Sequence, residues 1–69
     1  MRVVGQVAQS PIRFTIEPYF AGGFVLDLGL TDGTCRAGRW PTPEKAQEMA
    51  QRIAAEVLNG ATVAWDRPQ

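Results

Sequence analysis

The chain has 69 residues, and seven Lys+Arg balance seven Asp+Glu, so its formal net charge is zero. Apolar residues make up 45% and charged residues 20%, which is the composition of a globular chain and not of a disordered one. With no histidine and one cysteine, the chain has no internal disulfide and too few soft ligands for a structural zinc site, and most acid–base and nucleophilic chemistry is excluded.

The length allows one domain, residues 1–69, with an ordered core expected over about 11–65 and frayed ends. So small a domain buries only ~60% of the surface its unfolded chain exposes. Its core supplies no more than ~3–5 kcal/mol of net stability, which makes self-association a live expectation. The charge is not separated along the chain: residues 1–40 carry four basic and three acidic residues, and residues 41–69 carry three and four. Strong non-specific nucleic-acid binding, which needs an excess of Lys and Arg, is therefore disfavoured. The start, Met1-Arg2-Val3-Val4-Gly5-Gln6, lacks the apolar stretch of a signal peptide, and no run approaches the ~18 apolar residues of a membrane span. With one unpaired cysteine, these features make the cytoplasm the expected location and a membrane an unexpected partner.

In chain order, Arg2 to Val7 is a weak strand candidate because Gly5 interrupts it. From Ile12 to Glu17 apolar and polar residues alternate, and Phe24 to Leu30 repeats the pattern, so two half-buried strands are predicted. Between them, Pro18-Tyr19-Phe20-Ala21-Gly22-Gly23 contains the turn. A five-residue loop pairs Ile16 with Leu26, Phe14 with Leu28 and Thr15 with Asp27, keeping the apolar residues on one face, and a glycine-assisted bulge is its close rival. Asp32-Gly33 predicts a type I′ turn that sets Leu30 opposite Cys35 and Leu28 opposite Ala37.

A helix follows. Thr42 is the expected N-cap, Pro43 takes the first helical position, and Glu44 complements the helix dipole. Ala46, Met49, Ala50, Ile53 and Val57 form its apolar stripe, and Lys45, Glu48, Gln51, Arg52 and Glu56 lie away from it. Gly60 ends the helix. Ala61 to Trp65 reads as a short last strand, and Asp66-Arg67-Pro68-Gln69 as a fraying end. Either terminal strand is a candidate sheet edge. The predicted fold is a two-layer α+β domain: an antiparallel three-stranded β-meander, one α-helix packed on its apolar face, and a short C-terminal strand.

Cys35 falls mid-strand on the inward face, without a cationic partner, and is expected to be buried and inert. Glu17 and Asp27 share the outer face, where cross-strand pairing with Arg13 and Arg36 explains them better than catalysis does. Gly22-Gly23 lacks the Lys and the strand-to-helix context of a phosphate-binding loop. No metal or cofactor is expected.

In the predicted register Trp40 falls opposite Val25 on the outer face, while Arg39 points toward the helix layer or reaches around the sheet end. The expected contact face is therefore Arg13, Asp27, Arg36, Arg39 and Trp40, since Arg and Trp are enriched in interface hot spots. The competing reading has Trp40-Pro41 capping the core where strand becomes helix.

The strand–strand–strand–helix order, with glycine turns and a Thr42-Pro43-Glu44 helix start, is similar in pattern to two kinds of DNA-binding domain. One is the phage-integrase domain that binds arm-type sites; the other is the plant domain of three strands and a helix. The likeness spans about residues 12–58 and implies a sheet face in the major groove. Those domains are usually basic, whereas here Arg13 and Arg36 are countered by Glu17 and Asp27, so no residue role is carried over.

The leading expectation is a small non-enzymatic protein-interaction module. Its partner is a second copy, joined through an edge strand, or another protein at the outer sheet face. The alternative is a weak nucleic-acid-binding domain using the same face.

Overall fold

The computed structural model describes residues 1–66. Its elements are β1 (Val3–Val7), β2 (Arg13–Pro18), β3 (Phe24–Leu30), β4 (Gly33–Trp40), α1 (Pro43–Val57) and β5 (Val63–Trp65). The strands form one five-stranded sheet in the order β4-β3-β2-β1-β5, and every neighbouring pair is antiparallel. The α+β class is as expected. The meander, however, has four strands, because Arg2–Val7 is not marginal: β1 is an inner strand between β2 and β5.

The helix explains the topology. Its 15 residues rise about 22 Å, enough to carry the chain across the ~19 Å spanned by the five strands. It leaves β4 at one edge and delivers β5 to the other. Thr42 caps it as expected, its Oγ1 accepting from the Lys45 N–H at 3.2 Å. Asn59 (φ 54°) and Gly60 (φ 80°) turn the chain out at the far end, where the Gly60 N–H donates to the Ala55 carbonyl at 2.8 Å.

The buried stripe is Ala46, Ala50 and Ala54, flanked by half-buried Met49 and Ile53. Small residues at i, i+4 spacing let the helix sit close to the sheet. Val57, expected in the stripe, is 69% exposed, and Leu58, four residues after Ala54, packs against the core in its place. Phe14, Ile16 and Leu26 are fully buried beneath the alanines, with Val3, Val7 and Val63 around them. Each large side chain so buried contributes roughly 1.5–3 kcal/mol.

The five-residue loop and its register form as predicted, with Phe14↔Leu28, Thr15↔Asp27 and Ile16↔Leu26. The second hairpin differs. Its turn is centred on Thr31-Asp32, neither of which has positive φ, so the type I′ geometry is not adopted. Leu28 pairs with Cys35 instead of Ala37, and Leu30 with Gly33. The two-residue shift brings Asp27 opposite Arg36, an attractive cross-strand pair, where the expected register would set Asp27 against Gly38.

Ala37 is then left over as a bulge, the ladder resuming with Leu26↔Gly38, Val25↔Arg39 and Phe24↔Trp40. Trp40 therefore packs with the core layer, and Arg39 takes the outer face, the reverse of the expected arrangement. Cys35 is exposed, because the hairpin tip overhangs the end of the helix layer and leaves its inward side uncovered.

The Asp66 N–H donates to the Val4 carbonyl at 2.8 Å, so Asp66 continues the β5 pairing and does not fray. The rest of that predicted fraying end, residues 67–69, lies outside the described residues. Among the described residues, no helix is long and apolar enough to cross a membrane.

Candidate functional site

The helix covers one face of the sheet and leaves the other open. Register places Gln6, Arg13, Gly29 and Thr34 in one row across that outer face, Val4, Thr15, Asp27 and Arg36 in the next, and Glu17, Val25 and Arg39 in a third. Two carboxylates and four guanidinium groups gather there. Arg2 reaches Glu17 at 3.5 Å, and Arg36 grips Asp27 with Nε at 2.8 Å and Nη2 at 3.2 Å. Arg13 and Arg39 have no carboxylate within 4.0 Å among the described residues. The outer face thus carries two surplus positive charges, although the whole chain is neutral. The compensating negative charge sits on the helix, at the Asp32 turn and at Asp66.

The bulge at Ala37 concentrates this charge. Residues 36 and 39 are three apart, so in a regular strand they face opposite ways. With one extra residue between them, Arg36 and Arg39 both project outward. Tyr19, from the β2–β3 loop, lies beside both: Arg36 Cζ is 5.6 Å and Arg39 Cζ 5.3 Å from the ring centroid, within cation–π range. The Arg36 guanidinium is held above its ordinary pKa, chiefly by its hydrogen bond to Asp27.

The Tyr19 ring also meets the ring of Phe20 at a tilt of 45°, 4.6 Å between centroids, and Phe20 is 92% exposed. Val25 completes the cluster. It is only 4% exposed yet stands apart from the helix-side core, so it is buried by the outer-face side chains themselves. A shallow hollow of about 410 Å³ is lined by Tyr19, Ala21, Val25, Arg36, Gly38 and Arg39.

Of the expected contact residues, the structure brings together Asp27, Arg36 and Arg39. Arg13 is on the same face but two rows from Arg39, in a separate depression with Arg2, Thr15 and Thr34. Trp40 leaves the site: it faces the helix and borders Lys45, Met49 and Arg52. Tyr19 and Phe20 were missed as site residues. The signal for them was two adjacent aromatic residues in a glycine-rich loop, where a buried core has little use for both.

Among the described residues, no group of three His, Cys, Asp or Glu side chains is placed to hold a metal ion. Comparison with protein-family models, with curated proteins and with solved structures finds no match to this chain.

Proposed function

We propose that this chain is a non-enzymatic binding module that contacts another protein through the outer face of its sheet, around Tyr19, Phe20, Arg36 and Arg39. The observation carrying this reading is the Tyr19 ring within cation–π range of two guanidinium groups, sharing a hollow with buried Val25, beside an almost fully exposed Phe20. Tyr and Arg anchors already fixed by their neighbours lose little freedom on binding, which is the character of an interface hot spot. The mixture of cations with Glu17 and Asp27 suits a protein surface better than a phosphate backbone, which wants unopposed positive charge.

A photo-crosslinking side chain placed at Phe20, in the cells that make the protein, tests this. Adducts that are protease-sensitive, discrete in size and lost with Arg39→Glu support the proposal. Nuclease-sensitive adducts would transfer the function to nucleic-acid binding. Adducts formed from Arg52 on the helix, with none from position 20, would move the working surface to the other layer.

A further inference from the structure

We infer that the partner is an extended acidic segment of another protein, added as a sixth strand along the free edge of β4. This rests on the outer-face reading above and specifies its ligand. β4 is a sheet edge of eight residues, whereas the opposite edge, β5, has three. No backbone bond outside the sheet involves a β4 residue among the described residues. Its outward-pointing N–H and C=O groups are therefore open to strand addition along Gly33–Arg36, before the bulge turns the strand.

Charge selects the occupant. Arg36 and Arg39 both project from this edge strand on the outer face, and Arg39 has no carboxylate within 4.0 Å among the described residues. An added strand presents alternate side chains to that face, so an Asp or Glu at its end nearest the bulge meets Arg39, while Arg36 is already held by Asp27. The hollow beside Tyr19 and Val25 takes one apolar or aromatic side chain of the same segment.

A second copy is a poor occupant. An antiparallel two-fold pairing of β4 with itself over Gly33–Arg36 sets Thr34 opposite Arg36 of the second copy and brings no carboxylate to Arg39. A nucleic acid offers no strand-pairing groups and would set its phosphates against Asp27 and Glu17.

The test is a displayed random decapeptide library selected on the folded protein. The best enriched peptide is then synthesised and titrated into isotope-labelled protein, following amide shifts and amide exchange. Enriched peptides should carry an Asp or Glu, shift residues 33–40, and slow exchange of amides in residues 33–36. Arg39→Ala, checked for native circular dichroism, should weaken binding roughly 3- to 10-fold.

Acidic peptides that bind around Tyr19 without protecting β4 amides would overturn strand addition while leaving the outer-face reading standing. Peptides without acidic residues, or a dimer joined through β4 in sedimentation, would overturn the assigned partner. Failure to recover any peptide would overturn the extended-segment partner and leave the outer-face reading standing, and peptides that map only to the helix would overturn both readings.

Discussion

The indole ring of Trp65 occupies the space a side chain on Gly5 would need: a Cβ built there would lie 2.6 Å from Trp65 Cζ3 and 2.6 Å from Val63 Cγ1. Glycine is therefore what lets β5 close the sheet against β1, with Gly5 directly opposite Trp65 and the ring reaching Phe14 at 6.4 Å between centroids. Gly5→Ala should destabilise the domain by about 1–3 kcal/mol through overpacking, despite the gain from removing a strand glycine. In a urea-denaturation cycle with Trp65→Ala, the two losses should sum to less than additive, by roughly 0.5–3 kcal/mol. Strict additivity would mean that the ring does not set the identity of residue 5.

Gln51 ties the helix to the last strand. Its Nε2 donates to the Ala61 carbonyl at 2.9 Å, and its Oε1 accepts from the Val63 N–H at 3.0 Å. Both bonds are half-buried, so Gln51→Leu, which keeps the bulk and removes the polar atoms, leaves two backbone groups without partners. A loss of about 1–3 kcal/mol is expected in chemical denaturation, with β5 amides exchanging faster than those of β2. Unchanged β5 exchange would show that water replaces the side chain without loss.

Local chemistry made much of this fold readable. The alternation in Ile12–Glu17 and Phe24–Leu30 determined both faces and the first register, because one face is buried and a one-residue slip would expose it. Thr42 and Pro43 marked the helix start through the backbone groups they satisfy. What escaped depended on distant partners. Gly5 reads as a strand breaker until Trp65, sixty residues away, is seen to lie on it. Gln51 reads as a solvated residue until Ala61 and Val63 arrive beside it. The zero net charge conceals a positive outer face because charge was counted along the chain, whereas the sheet sorts it by side. The contact face was half legible: Asp27 and Arg36 follow from strand parity, but Arg39 and Trp40 exchange faces through one extra residue at Ala37.

That extra residue leads to a test in the opposite direction from most strand deletions. Removing Ala37 leaves Arg36 outward, Gly38 inward, Arg39 outward and Trp40 inward on a regular ladder, because the bulge is the single unpaired position. The variant is expected to fold, with Trp40 still packed on the helix. Its loss of stability should be no larger than that of a small core trim such as Ile16→Val, about 0.5–1.5 kcal/mol. Unfolding curves and tryptophan emission measure both. A red-shifted, unfolded variant would show that the twist at the bulge is itself required.

Cys35 gives a direct check on the second hairpin. In the expected register it pairs with Leu30 and is buried; in the structure it pairs with Leu28 on the overhanging tip and is exposed. A maleimide reagent should label the native protein nearly as fast as the urea-unfolded one. Protection that disappears only on unfolding would restore the buried placement.

Phe20 and Tyr19 separate the needs of the fold from those of the surface. Phe20 is 92% exposed, so Phe20→Ser removes an apolar ring that contributes almost nothing to the core and should change stability by no more than about 0.5 kcal/mol. Tyr19→Ala should destabilise the domain more, because Tyr19 belongs to the group of outer-face side chains around buried Val25 and packs against two guanidinium groups. If both variants fold and both lose the crosslinked partner, Phe20 is retained for contact and Tyr19 for contact and packing together. If Phe20→Ser instead lowers the unfolding midpoint as far as Tyr19→Ala does, the aromatic pair is a stabilising device, and the outer face loses its main claim to be a binding surface.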